Sequence, residues 1–182
     1  MSFARVRALV VVGVLAVAAV VFVIVALVRD TQGGAIAGGG CPAGAPLADI
    51  TLPDDPAEVV VKVYNGTNSA GLADAVTTEF KNRRFTTQKP AENKAKFKGV
   101  AIIRYGPDTV GKAQLLRAYF LAQSKMEYNA KRKGQVIDIV VGDKYRQLAT
   151  TTEVNQSLVE VGEPTVPPGA CVKPVKKAED AP

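Results

Sequence analysis

The longest apolar run of the chain covers residues 8–28 and separates a short basic N-terminus from a more polar remainder. Its 21 positions carry no charge, and an α-helix of that length is roughly 31 Å long at about 1.5 Å per residue. The hydrocarbon core of a bilayer is about 30 Å thick. Arg5 and Arg7 precede the run, and basic residues on a short flank are retained in the cytoplasm. The sequence therefore predicts a cytoplasmic stub and transmembrane anchor over residues 1–29, with the rest of the chain extracytoplasmic at the cell membrane.

A cleavable signal peptide is the alternative interpretation, because Ala35 and Ala37 frame a small-x-small site of the kind that signal peptidase accepts. The apolar run is longer than the usual signal-peptide core of about 7–15 residues, and the site lies well beyond its end. We therefore favour an uncleaved anchor. A lipoprotein is less consistent with the sequence, since three glycines rather than an apolar residue precede Cys41. Each interpretation exports the remaining chain.

The two cysteines of the chain, Cys41 and Cys171, both lie in Pro/Gly-rich segments on the exported side. In an oxidising compartment the simplest interpretation is one disulfide that ties the segment after the anchor to the C-terminal tail. Two free thiols are the alternative. Two cysteines without any histidine cannot complete a zinc site, so we expect no metal and no cofactor.

The positive charge of the chain lies in its exported part. Residues 1–57 hold three of the 23 basic and four of the 17 acidic side chains, which leaves 20 basic and 13 acidic ones in residues 58–182. A basic domain often binds nucleic acid, but the predicted topology excludes that partner and leaves anionic lipid, wall-polymer phosphates or acidic proteins. Three clusters contribute, with a solvated surface as the alternative for each: Lys81, Arg83 and Arg84; Lys94, Lys96 and Lys98; Lys131, Arg132 and Lys133.

Glycines and prolines are frequent in residues 30–57 and are typical of a linker. The β-branched residues 59–64 then predict a buried strand that ends at Asn65 and Gly66. Apolar residues at helical spacing predict a helix over residues 70–82, with Ser69 as its N-cap. Residues 85–88 predict a short second strand.

The second half of the domain repeats this order of strand, turn and helix. Residues 100–105 predict a strand, residues 109–123 a helix, residues 126–128 a weak strand and residues 136–141 a strong one. These elements predict an α/β domain over residues 58–145, in which a small mixed β-sheet carries two crossover helices in a βαββαβ-like order. Residues 146–182 form a C-terminal extension, with a short helix near residues 150–161 and a flexible tail.

Two motifs resemble a known family. The sequence VKVYNGT at residues 61–67, followed by GLA at residues 71–73, is similar to the opening of the LytR C-terminal (LytR_C) domain family. In that family a strand ends in Asn-Gly and leads into a helix that carries Gly-Leu-Ala. The sequence DIVVGD at residues 138–143 is similar to the family's last strand. Arg84 departs from the pattern, because the family usually has glycine before the aromatic residue that begins the second strand.

One anchor, one such domain and a cysteine on each side of it are similar to the arrangement in actinobacterial cell-envelope integrity proteins. The resemblance implies an envelope-maintenance or virulence role and no established reaction. In longer relatives the domain follows a LytR-CpsA-Psr catalytic domain, for which we expect no room in this chain. The resemblance therefore implies an accessory module that binds wall polymer, anionic lipid or a wall-polymer ligase.

We predict no catalytic residue, because the absence of histidine excludes Ser-His-Asp and Cys-His arrangements. The first candidate binding site lies at the predicted helix N-terminus, where backbone amides favour an anion; a turn and a helix cap are the alternative. The second is a lysine-rich segment near an arginine that can contact anionic headgroups. The candidate residues are Asn65, Gly66, Thr67, Asn68 and Ser69 at the first site, and Lys94, Lys96, Lys98 and Arg104 at the second.

Two functions fit these features. The first is a non-catalytic, membrane-anchored scaffold that binds or positions wall-building components. The alternative is a lipid-binding module with an apolar pocket between the sheet and the helices. The scaffold predicts a filled core, whereas the lipid module predicts an internal apolar cavity.

Overall fold

A computed structural model describes residues 12–13, 15–21 and 41–174. The chain divides into two compact units, residues 1–40 and residues 41–182. The described part of the first unit is helical, and its apolar side chains, such as Val12 and Leu15, are exposed. The rest of the predicted anchor, the linker up to residue 40 and residues 175–182 of the predicted tail lie outside the described residues. Among those described, no helix combines the length and the apolar character needed to cross a bilayer.

The second unit contains eight strands and three α-helices within residues 41–174. Two short 3-10 helices cover Pro56–Glu58 and Pro107–Thr109. The elements in chain order are β1 (Leu47–Ala48), β2 (Val60–Asn65), α1 (Leu72–Asn82), β3 (Thr86–Thr87), β4 (Ala91–Glu92), β5 (Ala101–Tyr105), α2 (Val110–Tyr119), β6 (Ser124–Tyr128), β7 (Val136–Val141), α3 (Thr151–Val161) and β8 (Cys171–Val172).

Six strands form one mixed sheet in the order β3-β2-β7-β5-β6, with β4 also paired to β2. Strand β2 is parallel to β3 and to β7, whereas β5 is parallel to β6 and antiparallel to β7. Two β-α-β units, β2-α1-β3 and β5-α2-β6, therefore lie side by side with β7 between them. The predicted α/β class and mixed sheet are confirmed.

One face of this sheet carries the core. Alternate residues of β2, β5 and β7, such as Val61, Ile103 and Ile139, are fully buried beneath α1 and α2. The ring of Phe80 on α1 packs edge-on against Phe85, with their centroids 5.1 Å apart. The β-branched and apolar residues of these buried strands explain why the strands were recognisable from sequence.

The two remaining strands, β1 and β8, pair in parallel next to the N-terminus of α2. The Asp49 amide donates to the Pro107 carbonyl, and the Gly111 amide donates to the Asp49 carbonyl. The predicted disulfide between Cys41 and Cys171 is confirmed, with a Cα–Cα distance of 6.0 Å. We call β1, β8 and this disulfide the disulfide ribbon. Residues 41–57, predicted as the end of the linker, thus contribute β1 and a 3-10 helix to the second unit.

Some predicted boundaries differ from the structure. The helix predicted over residues 109–123 ends at Tyr119, because Leu121 and Ala122 adopt positive φ angles of 51° and 59° and turn the chain into β6. The strand predicted over residues 85–88 is reduced to β3, and β4 lies in a segment predicted as loop. The helix predicted near residues 150–161 is confirmed, and Thr150 and Glu153 form its capping box.

The prediction that Ser69 caps α1 is wrong. The helix begins two residues later than predicted, at Leu72, and its N-cap is Gly71 with a φ of 75°. A left-handed backbone at this position costs glycine little, whereas it strains residues that carry a Cβ. Arg84, which stands where the family usually has glycine, also has a positive φ of 70°.

The disulfide ribbon gives the first testable prediction. The Cys41–Cys171 bond spans 130 residues, so replacing both cysteines with serine is expected to cost about 2–5 kcal/mol of unfolding free energy. The melting temperature of the full chain in detergent micelles, followed by circular dichroism, should fall by about 10 °C. Wild-type protein with reductant should melt like the double variant. Equal melting temperatures with and without the bond would contradict the prediction.

Candidate functional site

The sheet has two ends with different contents. At one end β2 and β7 begin and β5 ends, and the disulfide ribbon packs beside Pro107. At the other end β2 and β7 finish and β5 begins. The predicted binding residues from Asn65 to Lys98 all lie at this second end. Strands of six residues separate the two ends of the sheet by about 20 Å. We call residues 93–99 the lysine loop.

Asn65, the last residue of β2, organises the first candidate site. Its side chain is buried, and its Nδ2 donates to the Ser69 carbonyl at 2.9 Å and to Glu92 Oε1 at 3.2 Å. Its Oδ1 accepts from the Thr67 amide at 2.9 Å and from the Thr67 hydroxyl at 2.8 Å. One amide side chain therefore fixes the path from β2 towards α1 and also contacts β4.

Three backbone amides of this segment, those of Gly66, Thr67 and Ser69, are paired within the protein. The Gly66 amide donates to the Val141 carbonyl, and the Ser69 amide donates to the Thr67 hydroxyl. Asn68 and Ser69 are exposed to solvent. Because three of the amides that would face an anion already have partners, the observed hydrogen bonds hold the turn. Ligand binding by residues 65–69 stays a prediction.

The lysine loop crosses from β4 to β5 over the ends of β2 and β7. The Asn93 amide donates to the Asn65 carbonyl at 3.0 Å, and the Phe97 amide donates to the Gly66 carbonyl at 2.8 Å. On its other side the Phe97 carbonyl accepts from the Asp143 amide at 3.0 Å. Lys96 Nζ donates to the Thr67 carbonyl. The two candidate sites predicted from sequence therefore form one continuous surface.

Glycines allow this close approach. A Cβ at Gly66 would lie 2.8 Å from Val140 Cγ1 and from the Val141 carbonyl oxygen. A Cβ at Gly142 would lie 2.2 Å from the Gly99 carbonyl oxygen and 2.6 Å from the Phe97 ring. Contacts under 3.0 Å are not tolerated, so both motif glycines are required for the lysine loop to lie against the strand ends.

Lys94, Lys96 and Lys98 are exposed, and no carboxylate in residues 41–174 forms an ion pair with them. Lys144 joins them, because its amide donates to the Gly99 carbonyl at 3.1 Å. The sequence did not indicate Lys144, which is 46 residues from Lys98 and reaches the loop only through the end of β7. These four lysines form the lysine surface.

Arg104 lies on the open face of the sheet and differs from the lysines. Its Nε donates to Glu127 Oε2 at 3.0 Å, and its guanidinium also reaches Asn93 Oδ1 at 3.4 Å. Hydrogen bonds from Lys125 and then from Arg104 lower the pKa of Glu127 below its usual range. The charge of Arg104 is therefore balanced, and its contact with Asn93 supports the base of the lysine loop.

Arginines of the other two basic clusters have partners within the domain. Arg83 donates to the Leu148 carbonyl at 3.2 Å, and Arg84 forms an ion pair with Asp55 at 2.8 Å. The two terminal guanidinium nitrogens of Arg132, Nη1 and Nη2, each contact a carboxylate oxygen of Asp138 at 2.9 Å. These arginines bind segments of the fold together, whereas the exposed side chains of the lysine surface form no ion pair within residues 41–174.

A further polar cluster attaches the C-terminal extension to α1. The Tyr145 hydroxyl donates to Glu79 Oε2 at 2.9 Å. Burial, followed by the contact with Glu79, raises the pKa of Tyr145 far above its usual range, so the hydroxyl keeps its proton. Together with Arg83 on the Leu148 carbonyl, this contact fixes the start of the extension.

The space between sheet and helices, where a lipid pocket was the alternative prediction, is occupied by side chains. Phe80, Leu116 and Ile137 are fully buried there, and the Phe80 ring also contacts that of Phe120 with centroids 6.2 Å apart. A groove of about 830 Å³ among the described residues opens to solvent and is lined by polar as well as apolar residues. This packing favours a filled core.

Comparison with known proteins agrees with the motifs. The LytR_C family model, described as "LytR cell envelope-related transcriptional attenuator", matches residues 58–145. These residues form a LytR_C domain. The family predicted from VKVYNGT, GLA and DIVVGD is thereby confirmed. No curated protein matches the chain.

A solved structure shares the fold. The soluble domain of a conserved hypothetical secreted protein from Mycobacterium marinum superimposes with a TM-score of 0.50 at 19% sequence identity. The match covers 67% of this chain and 83% of that one. At this identity the likeness concerns the fold of the LytR_C domain.

The motif residues of the LytR_C domain have structural explanations. Asn65 holds the turn, Gly66 and Gly142 admit the lysine loop, and Gly71 supplies the left-handed residue before α1. The motif therefore specifies the end of the sheet on which the lysine surface is built.

Asn65 supplies the second testable prediction. Replacing Asn65 with alanine removes four hydrogen bonds at a buried position, which should cost about 2–4 kcal/mol of unfolding free energy. The exposed neighbour Asn68 is the matched control, and its replacement with alanine should change stability by less than about 0.5 kcal/mol. Urea denaturation of the full chain in detergent micelles measures both. A cost below about 1 kcal/mol for Asn65→Ala would contradict the assigned role.

Proposed function

We propose that this chain is a non-catalytic, membrane-anchored cell-envelope protein whose LytR_C domain binds anionic wall polymer through the lysine surface. The observation that supports this most is position. The lysine surface lies at the end of the sheet remote from Cys41, where the chain enters the domain. A polymer can therefore contact the lysines without displacing the tether.

The chemistry of the lysine surface suits a polymer rather than a small ligand. Lys94, Lys98 and Lys144 are exposed on a loop and a strand end, not in an enclosed pocket. Ammonium groups act as point charges that donate hydrogen bonds to phosphates or carboxylates in many orientations. Such contacts are individually weak and screened by salt, so binding requires several charges on the same partner.

Export is supported by the disulfide. Bonds of this kind persist in oxidising compartments outside the cytoplasm, and Cys41–Cys171 closes most of the domain. The apolar run at residues 8–28 accounts for retention at the membrane, and its described residues 15–21 are helical. A non-catalytic role agrees with a LytR_C domain and with the lack of histidine in the sequence.

Anchoring gives the third prediction. The full chain should remain in the membrane pellet after an alkaline carbonate wash, and mass spectrometry of that material should detect peptides that precede Ala37. Replacing Val17 and Val20 with lysine should release the chain, because each charge at the centre of a span costs about 2.5–3.5 kcal/mol. The control V17L/V20L should stay in the pellet. A pelleted chain that begins after Ala37 would overturn the uncleaved anchor.

Wall binding gives the fourth prediction. The full chain in detergent micelles should co-sediment with purified wall sacculi at low salt and much less at about 1 M salt, where the Debye length is about 3 Å. The variant K94E/K98E should lose most of this binding, at least about tenfold, because two attractive charges become repulsive.

The matched control for this experiment is K131E/K133E. It changes the net charge by the same amount at exposed lysines near the opposite end of the sheet. We expect it to keep binding within about twofold of wild type. Equal losses in both variants would show that net charge alone drives sedimentation and would contradict the assigned surface.

A further inference from the structure

Strand β6 is an edge of the main sheet. It ends the strand order and pairs only with β5 among the described residues. The Asn129 amide donates to the Tyr105 carbonyl, which fixes which residues of β6 bond to β5. In a parallel ladder these are alternate residues, so Lys125 and Glu127 face β5 with their backbone groups. The amides and carbonyls of Ser124, Met126 and Tyr128 consequently point away from the sheet.

No strand of residues 41–174 pairs with the outer side of this edge. The open groove of about 830 Å³ lies at the C-terminal end of β6, where residues 126–132 line it together with Arg104 and Tyr105 of β5 and with Pro168. Within residues 41–174, no backbone hydrogen bond joins Ser124, Met126 or Tyr128 to a segment on the free side. Exposed edges of this kind are templates for pairing with another chain.

The charges on β6 are arranged so that they attract a second copy of the strand instead of repelling it. Edge strands commonly carry charges that repel an approaching copy and so prevent strand pairing. Here Lys125 and Glu127 have opposite signs and flank Met126 symmetrically; they form an ion pair at 2.9 Å within the chain, which pairing of two copies would exchange for ion pairs between the copies. When two antiparallel copies of β6 are centred on Met126, Lys125 of each copy lies opposite Glu127 of the other. Cross-strand pairs of opposite charge stabilise a sheet.

The backbone pattern fits the same register. Centring on Met126 places the outward amide and carbonyl of Met126 opposite those of its counterpart, as in the hydrogen-bonded pairs of an antiparallel ladder. Ser124 of one copy then lies opposite Tyr128 of the other, again with outward backbone groups on both. The hydrogen-bond pattern is therefore compatible with this register, and the charges select it over the registers centred on Lys125 or Glu127.

We propose that β6 is a self-association edge, at which two copies of this chain pair antiparallel about a two-fold axis at Met126. The axis is perpendicular to the sheet, so the sheets of the two copies become continuous and their lysine surfaces lie at opposite ends. Five residues per copy make a small interface, so the dimer is weak in dilute solution. Confinement of both copies raises their effective concentration and favours it. This pairing does not depend on wall binding.

Cysteine cross-linking of the full chain in membranes tests the register. In the proposed dimer the two Met126 Cα atoms are about 5.5 Å apart, within the range of a disulfide. Met126→Cys should therefore give a covalent dimer in high yield under mild oxidation. The matched control is Ser124→Cys on the same strand and face, where four residues of offset separate the two Cα atoms by about 14 Å. Its yield should be at least about tenfold lower.

Charge exchange tests the partner. In the Met126→Cys background, K125E and E127K should each reduce the yield, because like charges then face each other. Mixing the two variants should restore a heterodimer, since every facing pair again has opposite signs. A folding defect in either variant would not be rescued by mixing.

Three results would overturn the proposal: no cross-link at position 126, equal yields at positions 124 and 126, or no recovery on mixing. Equal yields would indicate random collision. If the protein folds but forms no dimer, β6 is not a self-association edge, and any strand that pairs with it belongs to a different protein.

Discussion

The hydrogen bonds of β7 hold the domain together. On one side β7 pairs with β2 in parallel, and on the other it pairs with β5 in antiparallel orientation. Without it, no strand pairing would join the two β-α-β units within residues 41–174. Because β7 follows both units in the chain, the sheet closes last in sequence and depends on contacts over long separations. Such contacts cost chain entropy before they add stability, so the pairing of β7 carries much of the entropy cost of closing the sheet.

Much of the core was predictable because its physical signal is local. Residues of β2, β5 and β7 alternate or run apolar over five or six positions, and the capping box of α3 is a short motif. The missed elements lack such signals. Strands β1 and β8 have two residues each, and what creates them is a disulfide and a pairing between distant segments. The early end of α2 depends on the positive φ angles of Leu121 and Ala122. Leucine and alanine rarely adopt such angles, so the sequence does not predict them.

The candidate site shows a similar division. The sequence indicated Asn65, Gly66 and the three lysines of the loop, but it placed them at two separate sites. Their union depends on Phe97, whose backbone bonds the ends of both β2 and β7. Local sequence patterns could not predict that Lys144 lies beside the lysine loop, because the pairing of β7 with its neighbouring strands brings it there. Arg104 was grouped with the lysines by charge, whereas the sheet register places Glu127 beside it.

The placement of the disulfide ribbon and the lysine loop at opposite ends of β2 and β7 has a mechanical consequence. Tension applied between Cys41 and the lysine loop acts along the strands, so the backbone hydrogen bonds of the sheet are loaded together in shear. A pull across the strands would instead open them one after another. The Cys41–Cys171 bond also transfers part of such a load to the far end of the chain. The architecture is therefore suited to withstand stretching between the two ends of the main sheet.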